Sequence, residues 1–269
     1  MPNQYEGYEL IWQDEFTKDG ELDTMDWRYE KGFVRNEELQ WYQAENAFCE
    51  DGKLIIEGLK EDIQNSRYKA GSPDWRENRE YARYSAASVQ TSGKREFCYG
   101  RFEVKAKIPT ACGAWPAIWT LGREMMWPFC GEIDIMEYYR IQGKPHILAN
   151  VAWGKDQIRE VEWDSEKIPF DRFLAQDPEW ADKFHVWRMD WDSTAIRLYL
   201  DGELLNETII RDTMNGRFVA YKNPFRQPHY LLLNLAIGGY NGGIPEDEAF
   251  PMRYEIDYVR VYKKIKTGK

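Results

Sequence analysis

The chain has 269 residues and a formal net charge of −10 at neutral pH. It therefore has no general attraction for phosphate backbones or anionic lipid, which disfavours nucleic-acid binding. No apolar run approaches the roughly 20 residues that span a bilayer, so no transmembrane segment is expected. The opening MPNQYEGYEL lacks the basic-then-apolar order of a signal peptide, which leaves a cytoplasmic protein or a removed leader. Cys49, Cys98, Cys112 and Cys130 show no CxxC spacing, and His146, His185 and His229 show no ligand spacing. Zinc centres and redox pairs are not expected from such a pattern. No G-x-S-x-G elbow supports a serine triad.

In chain order, the dominant signal is short β-rich runs separated by turn residues. KLIIEGL at 53–59 comes first, followed by a polar stretch at 61–82 broken by Gly71-Ser72-Pro73. In GRFEVKAKI at 100–108, Phe102, Val104 and Ala106 share one face and Glu103, Lys105 and Lys107 the other, a period of two. AIWTL at 117–121 and EIDIMEYY at 132–139 continue the series. Residues 154–183 read as a second long loop, and with 61–82 they carry Trp75, Trp163 and Trp180 as walls of a groove. Within the second loop, DPEWADKF at 177–184 predicts a short helix, with Asp177 as cap and Pro178 in the first turn. Asp201-Gly202 divides the run at 195–210 as a tight hairpin, and IDYVRVY at 256–262 closes the pattern. The expectation is an antiparallel β-sandwich, one domain over 1–269, without internal repeats.

The informative segment is Gly131 to Tyr139. On a strand, Glu132 and Asp134 project from one face while Ile133 and Ile135 project from the other. Strict alternation would place Met136 beside the acids and turn Glu137 away. Bringing Glu137 back needs one extra residue, a β-bulge near Ile135-Met136. Three carboxyls would then line one ribbon, and like charges so close cannot all ionise cheaply, so one should hold a proton at neutral pH. Two glutamates in this relation suit the retaining glycosidase arrangement, one attacking and the other exchanging a proton. A solvated acidic face or a divalent-cation site are the alternatives. Trp115 and Trp119 share a strand face just before the acids, and Trp127 lies in the connection. Flat rings beside carboxylates suit sugar rings, although core packing is the default for any single tryptophan. Asn150 and Asn234 interrupt apolar strands, and their partners would be backbone groups or sugar hydroxyls.

These segments together resemble glycoside hydrolase family 16 over nearly the whole chain. The matching landmarks are WQDEF at 12–16, NEELQWY at 36–42, DGKL at 51–54, YGRFE at 99–103, WPAIW at 115–119, EIDIME at 132–137, LNLAIGG at 233–239 and IDYVRVY at 256–262. The resemblance implies a β-jelly-roll with a cleft across its concave sheet and retaining endo-hydrolysis of β-glycans. Glu132 would be the nucleophile, Glu137 the acid/base and Asp134 the carboxyl that tunes the nucleophile. Asn36, Trp115, Trp119, Trp127, Asn150 and Asn234 would bind substrate. No cofactor is implied for catalysis. A structural calcium is implied at the carbonyls of Glu15 and Gly52 and the Asp257 side chain, in keeping with calcium's preference for oxygen ligands.

Within the family, the bulged form resembles the laminarinase-type β-glucanases, a form that agarases and carrageenases share. Ala86-Ala87-Ser88 stands where such members often read S-A-R, so the usual cleft arginine is expected to be missing. Asn150 stands where they often place histidine and matches the lichenase-like members instead. The expectation is a monomeric endo-β-glucanase acting on mixed-linkage β-1,3/1,4-glucan and laminarin, secreted or at a bacterial surface. The alternatives are a silent carbohydrate-binding sandwich, or a hydrolase or transglycosylase acting on another β-glycan.

Overall fold

The computed structural model describes residues 5–265. The first half of the chain contributes β1 (Tyr8–Asp14), β2 (Gly20–Glu21), β3 (Arg28–Tyr29), β4 (Gln40–Tyr42), β5 (Ala47–Glu50), β6 (Lys53–Gln64), β7 (Tyr81–Ala86), β8 (Ser88–Gln90) and β9 (Gly100–Lys107). The second half contributes β10 (Ala114–Gly122), β11 (Glu132–Ile141), β12 (Lys144–Gly154), β13 (Val161–Pro169), β14 (His185–Trp191), β15 (Ala195–Leu200), β16 (Glu203–Ile209), β17 (His229–Ile237) and β18 (Met252–Lys264). Seven strands form one sheet in the order β13-β12-β11-β10-β17-β8-β3, and an eleven-stranded sheet is built around β16-β15-β14-β9-β18-β6-β5-β2. The two layers make a jelly-roll sandwich. All strand pairs are antiparallel except β4 with β7.

Alternation explains why the layers stick. Phe102 and Val104 on β9 and Val259 and Val261 on β18 face inward from one sheet. Ile133 and Ile135 on β11, Ile147 and Val151 on β12, and Leu233 and Leu235 on β17 meet them from the other, in one continuous core. Outward positions on the same strands are left for chemistry. The Asp201-Gly202 hairpin forms as expected between β15 and β16, with Leu200 paired to Glu203. Both turn residues have positive φ, 48° and 87°, which suits a type I′ turn and its Gly.

Three expectations change. The stretch at 61–82 is not one loop: β6 runs to Gln64, and a single helical turn, α1 (Trp75–Asn78), precedes β7. The stretch at 154–183 contains the edge strand β13 and the helix α2 (Asp171–Gln176). The helix expected at 177–184 is only a 3₁₀ turn at Trp180–Asp182, and Asp177 closes α2 instead of opening a new helix. Aromatic packing decides this, because the Trp180 ring sits 5.3 Å from both Phe170 and Phe173 and is drawn into the core. Trp180 therefore walls no groove.

Candidate active site

Strand β11 is entered through Gly131, which turns the chain at φ 78°. A Cβ there would lie 2.7 Å from the Pro224 side chain, so only glycine fits. Downstream, Asp134 pairs with Asn150 on β12 while Glu137 pairs with Leu148. Three steps on β11 thus match two on β12, which is the expected bulge. On the opposite side, Trp119 pairs with Asp134 and Ile118 with Met136, confirming the extra residue at Ile135. Ile135 and Met136 both point into the core, and Glu132, Asp134 and Glu137 all reach the outer face.

There they line a cleft of about 640 Å³ that crosses the strands of the seven-stranded sheet. Asn36, Trp115, Trp119, Trp127, Asn150 and Asn234 line it too, so every expected catalytic and substrate-binding residue meets in one place. Trp127 Nε1 donates to Glu132 Oε2 at 2.5 Å, and Trp115 Nε1 donates to Glu137 Oε1 at 2.9 Å. Asn150 Nδ2 lies 3.1 Å from Asp134 Oδ2 and 3.0 Å from Glu137 Oε2, tying the middle acid to the last. Asn234 Oδ1 accepts from Trp119 Nε1 at 2.7 Å, and its amide donates to the Tyr42 hydroxyl at 3.2 Å. Both asparagines therefore hold the site's own side chains in place. Trp115 and Trp119 are only 6% and 8% exposed and form floor, whereas Trp127 and Trp163, at 45% and 41%, offer open rings. Trp75 packs against Phe33 away from the cleft.

The electrostatics follow from three acids without a basic side chain beside them on their strand until Arg140. Burial pushes the Glu137 carboxyl up to about 7, despite the Trp115 hydrogen bond. Asp134 is raised well above the ordinary carboxylate range, first by burial and then by the charges of Glu132 and Glu137. Burial raises Glu132 as well, against the opposing hydrogen bonds from Trp127 and Asp134. The cluster thus holds at least one proton near neutrality, as a general acid requires.

The cleft also contains residues that sequence reasoning missed. Arg35 lies in it, its guanidinium 5.0 Å from the Trp119 ring centroid and ion-paired with Glu30. A cleft arginine is thus present, supplied by a different segment from the one where it was sought. Glu38 is buried beside it, hydrogen-bonded by Gln40 Nε2 at 2.7 Å, and burial raises its pKa. The available signal was the Asn36-Glu37 pair, because asparagine tolerates the left-handed backbone that both residues adopt, with φ of 54° and 49°.

The expected calcium ligands lie in the other sheet. Along β18 the partner changes from β6, ending with Leu54 opposite Ile256, to β1, starting with Asp14 opposite Val259. In register, Gly52 and Glu15 follow and Asp257 lies within the stretch of β18 where the two partners exchange. Asp257 Oδ2, however, is 2.7 Å from Lys105 Nζ, and Glu15 grips Arg260 through both carboxylate oxygens at 2.7 and 2.8 Å. A cation there would take Asp257 only by displacing that ammonium. Among the described residues no group of three or more His, Cys, Asp or Glu side chains is placed to hold a metal.

A jelly-roll with paired glutamates across a bulge, at the centre of an open cleft, defines a glycoside hydrolase. The chain belongs to glycosyl hydrolases family 16, whose sequence model matches residues 36–260. It is 34% identical to a beta-glucanase of Rhodothermus marinus over 96% of this chain and 86% of that protein. It is 33% identical to a glucan endo-1,3-beta-glucosidase A1 of Niallia circulans over 96% of this chain, but spans only 38% of that protein's length. A solved structure described with endo-acting O-glycanases of the human gut microbiota that initiate mucin breakdown superposes with a TM-score of 0.85, at 32% identity, over 100% of this chain and 96% of that one. The family and its laminarinase- and lichenase-like character are thus established.

Proposed function

We propose that the chain is a retaining endo-β-glucanase that cleaves mixed-linkage β-1,3/1,4-glucan and laminarin. The observation that carries this reading is the return of Glu137 to the face of Glu132 across the bulge, with Asn150 bridging Asp134 and Glu137. In the first step, ionised Glu132 attacks the anomeric carbon while Glu137 gives its proton to the departing glycosidic oxygen. In the second, Glu137 takes a proton from water as that water opens the glycosyl ester on Glu132. Asp134, held protonated by its neighbours, donates a hydrogen bond that steadies the nucleophile's charge. The names of the Rhodothermus and Niallia relatives support glucan as substrate.

A second reading is favoured by the 0.85 superposition: endo-cleavage of mucin-type O-glycans, with the same carboxylates. One assay separates the two. The protein is incubated with barley mixed-linkage glucan, laminarin and mucin O-glycans, and new reducing ends and their anomeric form are followed by NMR. Fastest cleavage of barley glucan with β-anomer appearing first is expected. Fastest cleavage of the O-glycans transfers the reading to the second substrate, an α-anomer rejects retention, and no cleavage of any rejects both in favour of a binding sandwich.

Polymers of this kind are met outside the cytoplasm, so the protein acts as an exported monomer at or beyond a bacterial surface. No helix among the described residues is long and apolar enough to cross a membrane. A structural calcium is part of this proposal, held by the Glu15 and Gly52 carbonyls with Asp257 once Lys105 is displaced. Its contribution would be to stability alone.

A further inference from the structure

One arm of the cleft rests on an irregular segment, 33–38, that has no strand ladder to hold it. Its six main-chain carbonyls are nonetheless all occupied. Arg67 Nη2 donates to Phe33 O at 2.9 Å, and Arg76 donates to Val34 O through Nε at 3.1 Å and Nη2 at 3.0 Å. Arg79 donates to two at once, Nη1 to Glu38 O at 2.7 Å and Nη2 to Glu37 O at 3.1 Å. Backbone amides supply the rest, one local and one distant: Glu38 N donates to Arg35 O at 3.2 Å and Tyr240 N to Asn36 O at 3.1 Å. The three arginines are themselves fixed, Arg67 through its amide, which donates to Asn65 Oδ1 at 2.9 Å. Asn65 Nδ2 holds the carbonyls of Arg76 and Arg79 at 2.9 and 2.8 Å, and the Trp75 ring lies 4.7 and 5.0 Å from their guanidinium carbons.

Two features show what this brace is for. Asn36 and Glu37 both adopt φ near +50°, a conformation that side-chain-bearing residues hold only when their surroundings over-determine it. Arg35, Asn36 and Glu38 line the cleft, whereas none of the three arginines does. A guanidinium fork suits this task because it meets two acceptors in one fixed plane.

We infer that Arg79, assisted by Arg67 and Arg76, is a positioning residue that sets the sugar-binding arm formed by Arg35, Asn36 and Glu38. The inference rests on the reading of the cleft as a glycan site and extends it to a segment 40 residues away that touches no substrate. Its consequence is that specificity at this end of the cleft is written in the 65–80 segment as much as in the lining.

The test compares Arg79→Met, Arg79→Lys, Asn36→Ala and the double variant Asn36→Ala/Arg79→Met, on whichever of the three glycans the wild type cleaves fastest. Arg79→Met should raise KM about tenfold with kcat within about twofold, the range expected when a binding group is misplaced but the reacting atoms are not. Arg79→Lys should recover most of that loss, and the double variant should lose less than the two single losses combined. Amide hydrogen exchange read on the same proteins should quicken about tenfold or more at 35–38 in Arg79→Met and stay unchanged at 132–137. Unchanged exchange at 35–38 overturns the brace, whether or not any glycan is cleaved. Unchanged KM in Asn36→Ala overturns the assignment of this arm to sugar, and additive losses overturn the route through Asn36.

Discussion

The outer faces of the two sheets are built from the same kinds of side chain and do opposite things. On the eleven-stranded sheet, acids and bases alternate across strands. Arg101 sits opposite Asp190 and holds both its oxygens at 2.7 and 2.9 Å, Glu103 lies between Arg188 and Arg260 in register, and Lys107 reaches Glu255 at 2.5 Å. Aromatic faces cover the ladder, with Arg260 3.6 Å from Tyr258 and Arg188 3.9 Å from Tyr199. On the seven-stranded sheet, Glu132, Asp134 and Glu137 follow one another along a single strand and find indole and amide donors, but no paired base. Compensated charge steadies a sheet, whereas uncompensated charge stores a proton. The acidic ribbon is tolerated because neutralisation relieves it, which is the property catalysis draws on.

The sharpest way to break the contrast is to remove a carboxylate from the uncompensated face. Glu137→Gln or Glu132→Gln should lower kcat by about 10³-fold or more while circular dichroism and Tm show the fold intact. Asn150→Ala removes the bridge between Asp134 and Glu137 and should lower kcat/KM by about 10- to 100-fold, with a displaced pH profile. The wild-type profile should itself fall as pH rises through about 7, where Glu137 loses the proton it must donate.

Stability carries the opposite sign from an ordinary ion-paired acid. The folded-state pKa of Glu137 lies above its unfolded value, so the native protein binds the extra proton and loses stability as pH rises from about 4.5 to about 7. Glu137→Gln removes that loss, and its Tm should therefore gain on wild type across this window and hold the gain above it. On the compensated face, Arg101→Met should cost about 1–2 kcal/mol in urea unfolding at pH 7 and leave kcat/KM unchanged, because Asp190 keeps Arg188 at 3.5 Å. The smallest effect is at Asp257: millimolar calcium should raise Tm by a degree or two and a chelator should reverse it. No response at all removes the calcium.

Much of this was legible in the residues. The period of two in 100–108 fixed which side chains of β9 enter the core, and the miscount in E-I-D-I-M-E called for a bulge between Asp134 and Glu137, where the register places it. Local rules suffice when a strand, a hairpin or a glycine turn decides the geometry. They fail where the deciding partner is distant. Arg35 reaches the cleft because Arg79, Arg76 and Tyr240 fix its loop, and no pattern within 33–38 announces partners up to 204 residues away along the chain. Trp180 failed for a different reason, since packing on nearby Phe170 and Phe173 outweighed a capping signal that was sound by local rules. The mixed polarity of 61–82 reads as solvent-facing until its arginines are seen to satisfy another segment's carbonyls.

The surplus residue in β11 has a consequence for how this strand can vary. Elsewhere in a sheet, dropping a residue turns everything downstream inside out. Here Asp134 and Glu137 already face partners two apart, Asn150 and Leu148. Excising Met136 would leave a plain alternating ribbon, E-I-D-I-E, with its last acid still looking outward and every later pairing in frame. The acidic strand can thus be shortened by a single link without being rewritten, and only the tilt of its final glutamate would record the change.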